Sequence, residues 1–291
     1  MVRPEYFSVA PSLRFNSPTF ILRVKKLNCL LFHLNTNSFM NKIALITGAS
    51  SGFGKAAAEK FAANGYNIII TGRREHLLLG LQKELAGRYG IEVLPLVFDV
   101  RDRTAATDAI AGIPEHWQAI DVLLNNAGLA LGKDYFDEAD LDDWDTMLDT
   151  NVKGLLYVTK AVLPFMTARN QGHIINLGSV AAIDVYEKGN VYCASKAAVD
   201  TISKAMRTDL LRHRIKVTVI HPGAADTEFS LVRFKGDAAT AQKTYEGYQP
   251  LTALDVAEVI YYCVSLPAHV CVNELIITCT AQANGFYTFR G

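Results

Sequence analysis

The stretch "KIALITGASSGFGKAAAEKFAANG", residues 42–65, decides how the rest of this 291-residue chain is read. It passes from an aliphatic run, through a glycine-rich turn, into a helical pattern. In that setting Gly48, Gly52 and Gly54 let the backbone turn sharply and approach a pyrophosphate closely. The N-terminus of the following helix then supplies free N–H groups and the positive end of its dipole. A glycine-rich turn alone marks only a tight turn; placed between a strand and a helix, it points to a nucleotide. Gly48, Ser50, Ser51, Gly52, Phe53 and Gly54 are the candidate contacts.

The same alternation continues outward. Short aliphatic or β-branched runs at 42–47, 66–71, 92–98, 120–125, 172–177, 216–221 and 274–278 are separated by longer helical stretches. Nearly continuous apolar runs imply burial on both faces, hence a parallel sheet covered by helices. Strands alternating with helices form right-handed βαβ units. The expectation is an α/β fold: one Rossmann-type, doubly wound, seven-stranded parallel sheet with helices on both faces, as a single domain over 40–291. Ligands on such a sheet sit beyond the carboxyl ends of the strands, where the winding reverses.

Residues 1–39 stand apart, with Arg3, Arg14, Arg23, Lys25 and Lys26 against Glu5 as the single acid. Such composition suits an organelle transit peptide, a disordered tail, or translated sequence upstream of a start at Met40. The last reading is favoured because a strand begins almost directly after Met40, and no chemistry is expected of this extension.

Half of the residues are hydrophobic, and 29 basic side chains balance 29 acidic ones. Neutrality without a basic run argues against nucleic acid or an anionic membrane surface as partner. No apolar stretch approaches the roughly 18 residues of a spanning helix. Cys29, Cys193, Cys263, Cys271 and Cys279 form no Cys-x-x-Cys pair and read as reduced thiols of a cytosolic protein. The seven histidines are scattered without ligand spacing, so no metal is expected.

The other strand ends are polar. After the second strand, where an acid usually meets a free ribose 2′-hydroxyl, the chain offers Arg73 and Arg74. Two guanidiniums suit a 2′-phosphate, which predicts NADP over NAD. Asp99 and Val100 follow the third strand, near the expected adenine. Asn125, Asn126, Ala127 and Gly128 follow the fourth, beneath the cofactor, and Ser179 follows the fifth. In "NVYCASKAAVD" (190–200), Tyr192 and Lys196 lie four apart and share a helix face. Free phenol ionises near pH ~10. A nearby ammonium, with the positive ring of an oxidised nicotinamide, favours phenolate and lowers that value. Tyr192 is then the candidate base for a substrate hydroxyl, and Ser179 the group that fixes the reacting oxygen.

Together, Thr47-Gly48-x-x-x-Gly52-x-Gly54, Asn125-Asn126-Ala127-Gly128, Asn151, Ser179, Tyr192-x-x-x-Lys196 and Pro222-Gly223 resemble the short-chain dehydrogenase/reductase family, over residues 42–280. The resemblance implies four catalytic positions, Asn151, Ser179, Tyr192 and Lys196, with Asn151 holding a water in a proton relay. It also implies that Tyr192, Lys196, Pro222, Gly223 and Thr227 contact the cofactor, Lys196 through the nicotinamide ribose. "TGRR", "DVRDR", "NNAGLALG" and "TEFSLVRFKGD" (227–237) are similar to the group of NADP-dependent 3-hydroxy acid dehydrogenases. That implies serine, L-allo-threonine and 3-hydroxypropionate as substrates, or the matching semialdehydes in reverse, in a cytoplasmic homotetramer. Arg233 and Lys235 are candidates to hold the substrate carboxylate, on a loop able to close over the site. Tyr186, in "AIDVYEKGN" (182–190), lies on the substrate side. A broad NADPH-dependent carbonyl reductase would share the catalytic set. The non-enzymatic alternative is a catalytically silent NADPH-binding regulator, which the four filled catalytic positions count against.

Overall fold

In a computed structural model, residues 41–291 are described; the expectation for residues 1–39 lies outside them. The strands are β1 (Ile43–Ile46), β2 (Asn67–Gly72), β3 (Val93–Val97), β4 (Ile120–Asn125), β5 (Gly172–Leu177), β6 (Ile215–Pro222) and β7 (Glu274–Ile277). They form one sheet in the order β3-β2-β1-β4-β5-β6-β7, every neighbouring pair parallel. The chain winds from β1 out to β3, then returns to start β4 on the other side of β1. The reversal therefore falls between β1 and β4, and this is the expected Rossmann-type, doubly wound, seven-stranded sheet.

The helices are α1 (Gly52–Ala63), α2 (Glu75–Tyr89), α3 (Arg103–Ala111), α4 (Leu141–Leu148), α5 (Leu155–Arg169), α6 (Asn190–Leu210), α7 (Glu228–Arg233), α8 (Ala238–Lys243) and α9 (Ala253–Ser265). Side chains alternate across a strand, so each strand feeds two cores. Ala44 and Ile46 join Phe61 of α1, Leu78 of α2 and Ile260 of α9 on one face. Ile43 and Leu45 join Ile110 of α3 and Val162 of α5 on the other. Phe61 is completely enclosed; burying such a side chain contributes roughly 1.5–3 kcal/mol.

Two edges depart from uniform burial. Pro95 sits in β3, which pairs only with β2, so its missing N–H costs no ladder bond. In β7 Glu274 and Ile276 are exposed, because this strand too has a neighbour on one side only. Near the carboxyl ends a buried amide chain ties the sheet to its helices. Asn125 Nδ2 donates to Thr159 Oγ1 (2.8 Å) and Asn176 Oδ1 (2.9 Å), and Asn176 Nδ2 donates to Ser203 Oγ (2.8 Å). No helix among the described residues is long and apolar enough to cross a membrane. Cys193, Cys263, Cys271 and Cys279 are free thiols.

Candidate active site

A cleft of about 1010 Å³ opens along the carboxyl ends of the strands and reaches from the β1–α1 turn to the C-terminal residues. At the reversal point Thr47 Oγ1 accepts the N–H groups of Asn126 and Ala127, each at 2.9 Å. The Asn126 amide in return donates to the Thr47 and Gly48 carbonyls at 2.8 and 3.1 Å. Gly48 and Gly52 have φ of +64° and +53°, which favour glycine. At Gly54 a Cβ would collide with the Gly48 carbonyl, so only glycine lets α1 start this close to the turn. Ser51 makes no side-chain cap to α1, and the first turn of the helix carries no acid. These features fit the pyrophosphate of a dinucleotide.

Arg73 and Arg74 both line the cleft but hold different posts. The Arg74 guanidinium donates to Ser50 Oγ (3.0 Å) and Ser51 Oγ (2.9 Å) and pairs with Glu228 at 3.0 Å, bracing the glycine-rich turn. Arg73 is more open, its side chain 61 % exposed and 3.7 Å from Asp99. Burial would raise the Asp99 carboxyl, but hydrogen bonds and charge from Arg101, helped by Arg73, hold it below the usual range. This end of the cleft presents fixed positive charge, as a 2′-phosphate requires.

Tyr192 lies in the first turn of α6 with Lys196 one turn on, and both are buried. Lys196 Nζ donates to the Leu177 carbonyl at 2.8 Å. A Cβ on Gly128 would sit 3.2 Å from Asn151 Oδ1 and 3.4 Å from Lys196 Nζ, so glycine admits the main chain beside both. Asn151 occupies a π-turn (Asp149–Gly154) between α4 and α5, an irregularity frequent at functional sites. Its Oδ1 accepts the Leu129 N–H (2.8 Å), and its Nδ2 donates to the Leu129 carbonyl (2.8 Å) and Ser195 Oγ (3.0 Å). Both amide donors are engaged, which leaves only the second lone pair of Oδ1 for a water. Ser179 Oγ accepts the Ala181 N–H at 3.1 Å, so its own proton is available to a reacting oxygen.

Burial raises the Tyr192 phenol well above its ordinary value, and Tyr186 adds to the rise; the groups that offset it are Ser179 and Arg233. Lys196 is itself pushed down to about 8 by burial, which still leaves it mostly charged at neutral pH. Burial and the positive ring of an oxidised nicotinamide therefore act on the Tyr192 phenol in opposite senses.

Beside Tyr192, the Arg233 guanidinium lies 5.6 Å from the ring centre and donates to Tyr186 Oη at 2.9 Å and the Gly132 carbonyl at 3.2 Å. Lys235, the other expected carboxylate contact, is not brought to the cleft. Gly236 turns the chain at φ +95°, and Lys235 pairs with Asp143 at 2.8 Å. Pro222, Gly223 and Thr227 line the cleft, as do Asp99, Val100, Ala127 and Phe53. Sequence reasoning missed Lys133 and the C-terminal residues Gly285, Phe286, Thr288 and Arg290, which close the rim. Gly285 N–H donates to Asp184 Oδ2 at 2.9 Å, and Phe289 N–H to the Ala281 carbonyl at 2.8 Å. The aromatic cluster after the last strand was the available signal. Lys133 is lowered by burial first, then by repulsion from Arg233, Lys188 and Arg290, so this end of the cleft is electropositive.

The chain is similar to known proteins over most of its length. The sequence pattern described as short chain dehydrogenase matches residues 42–236. The chain is 50% identical over 234 residues to an NADP-dependent 3-hydroxy acid dehydrogenase of Salmonella typhi, covering 80% of this chain and 93% of that one. It is 48% identical over 245 residues to sulfoacetaldehyde reductase 2 of Chromohalobacter salexigens, covering 84% and 96%. Among solved structures, the closed form of a serine dehydrogenase complexed with NADP+ matches with a TM-score of 0.80 at 45% identity, covering 86% and 99% of the two chains.

Proposed function

We propose, from the premise that the chain belongs to the short-chain dehydrogenase family, that it interconverts small 3-hydroxy acids and their semialdehydes or ketones. It is an oxidoreductase acting on CH–OH groups with NADP as cofactor. Serine, L-allo-threonine and 3-hydroxypropionate are the proposed substrates. The observation that carries this reading is the guanidinium of Arg233 packed on the Tyr192 and Tyr186 rings, in a wall that also holds Lys133. A small acid bound there by its carboxylate presents its carbinol to the Tyr192 phenol.

Bound NADP supplies the hydride acceptor; the chain supplies position and a path for the proton. Ser179 donates a hydrogen bond to the substrate oxygen. Tyr192 takes the hydroxyl proton in oxidation and returns it in reduction. Lys196 and Asn151 hold their places through Leu177, Leu129 and Ser195.

Arg233→Gln should raise KM for hydroxy acids by roughly 10-fold or more, the value of a charge-assisted hydrogen bond, and leave a neutral alcohol almost unaffected. NADPH absorbance followed with serine, 3-hydroxypropionate, sulfoacetaldehyde and a neutral ketone checks this. An equal loss on all four assigns Arg233 a structural role, and wild-type preference for the ketone assigns a broad carbonyl reductase.

The same reading carries a cytoplasmic homotetramer. Leu141 and Leu148 of α4 and Leu156 of α5 are 68%, 38% and 40% exposed, an apolar set that further copies of the chain would cover. Light scattering should give the mass of four chains; a monomer at working concentration contradicts this.

A further inference from the structure

Asp200 of α6, His221 of β6 and Glu274 at the start of β7 each bring a ligand atom within 4.8 Å of the others. His221 Nε2 lies 3.6 Å from Asp200 Oδ1 and 3.6 Å from Glu274 Oε1, too far for hydrogen bonds. The His221 side chain is 0 % exposed, and both its Nε2 and Asp200 Oδ1 are buried without a partner. An unpaired buried nitrogen and an unpaired buried carboxylate oxygen each keep a desolvation penalty. A positive ion between them would satisfy both.

The other Asp200 oxygen is already occupied by an ammonium, which faces Glu274 more loosely. Lys204 Nζ is 2.7 Å from Asp200 Oδ2 and 3.9 Å from Glu274 Oε2. Two carboxylates and one ammonium leave a net negative charge facing the imidazole. Its Nδ1 is 3.0 Å from the Ser179 carbonyl and 3.2 Å from the Ser179 N–H. In the tautomer that donates to the carbonyl, the Nε2 lone pair faces the two acids, the arrangement common behind metal-bound histidines.

We infer that Asp200, His221 and Glu274 form a divalent transition-metal site suited to zinc, with solvent as the fourth ligand. Zinc bonds of about 2.0–2.2 Å put tetrahedral ligand atoms about 3.3–3.6 Å apart, close to the two 3.6 Å separations from His221 Nε2. The sequence hides the site because its ligands come from three elements, so histidine spacing carries no trace of it. Glu274, half in solvent on an edge strand, gives the entry path. A bound ion would pin α6 one turn beyond Lys196 and fix the imidazole that holds the Ser179 main chain.

Calorimetric titration of the full, chelator-treated chain with zinc chloride tests the site. One zinc should bind per chain, and Glu274→Gln should weaken binding by at least about 10-fold. Zinc should raise the Tm of the wild type more than that of the variant. Cobalt(II) should give the visible absorption of a four-coordinate site, and the variant should lose it. Absence of stoichiometric binding, or equal binding by Glu274→Gln, overturns the site and leaves the three groups sharing the imidazole proton.

Discussion

Replacing Tyr192 with Phe should reduce turnover in both directions by about 10²–10⁴-fold, the usual contribution of a positioned proton donor or acceptor. NADPH binding should stay nearly unchanged, because the ring still packs on Phe229 with centroids 5.7 Å apart. Burial raises the phenol, and this sets the sign of the pH dependence. Oxidation needs the phenolate, so its kcat/KM should climb with pH towards the raised value. Reduction uses the neutral phenol and should hold steady across the same range. Both profiles should flatten in Tyr192→Phe. Activity like that of the wild type in this variant would remove Tyr192 from the proton path.

The second large effect concerns cofactor choice. Losing both Arg73 and Arg74 removes up to two charge-assisted hydrogen bonds to a 2′-phosphate, each about 1.5–3 kcal/mol before solvent screening. Arg73→Ala/Arg74→Ala should therefore raise KM for NADP by roughly 10- to 100-fold. The single variants should differ. Arg73 reaches only Asp99, at 3.7 Å, so Arg73→Ala should affect NADP alone. Arg74 also braces Ser50 and Ser51, so Arg74→Ala should weaken NAD as well. Steady-state kinetics with both cofactors separates these outcomes, and equal losses for NADP and NAD in Arg73→Ala would refute a 2′-phosphate contact.

The residues legible from sequence are those whose chemistry is local. Gly48, Gly52 and Gly54 announce the turn because backbone geometry demands them within a few residues. Tyr192 and Lys196 announce a shared face because helical spacing is fixed. All seven strands were readable from apolar runs, β7 included; only the exposure of its Glu274 and Ile276 was not, because it depends on what fails to cover them. What escaped is set by distant partners. Lys235 looked equivalent to Arg233, but the turn at Gly236 sends it to Asp143 while Arg233 reaches Tyr186. The burial that raises Tyr192 comes from neighbours such as Tyr186 and Phe229, which spacing along α6 does not encode. The C-terminal rim depends on the Gly285–Asp184 bond across 101 residues.

The central claim is that a carbinol hydrogen passes to the cofactor while Tyr192 handles the proton. Incubation with NADP and 3-hydroxypropionate deuterated at the carbinol carbon, followed by mass spectrometry of the recovered cofactor, tests it most directly. Reduced cofactor should carry the deuterium, and should form about 10²–10⁴-fold more slowly when Tyr192 is Phe. Reduced cofactor without label, or no reduction while NADPH binds tightly, would contradict it.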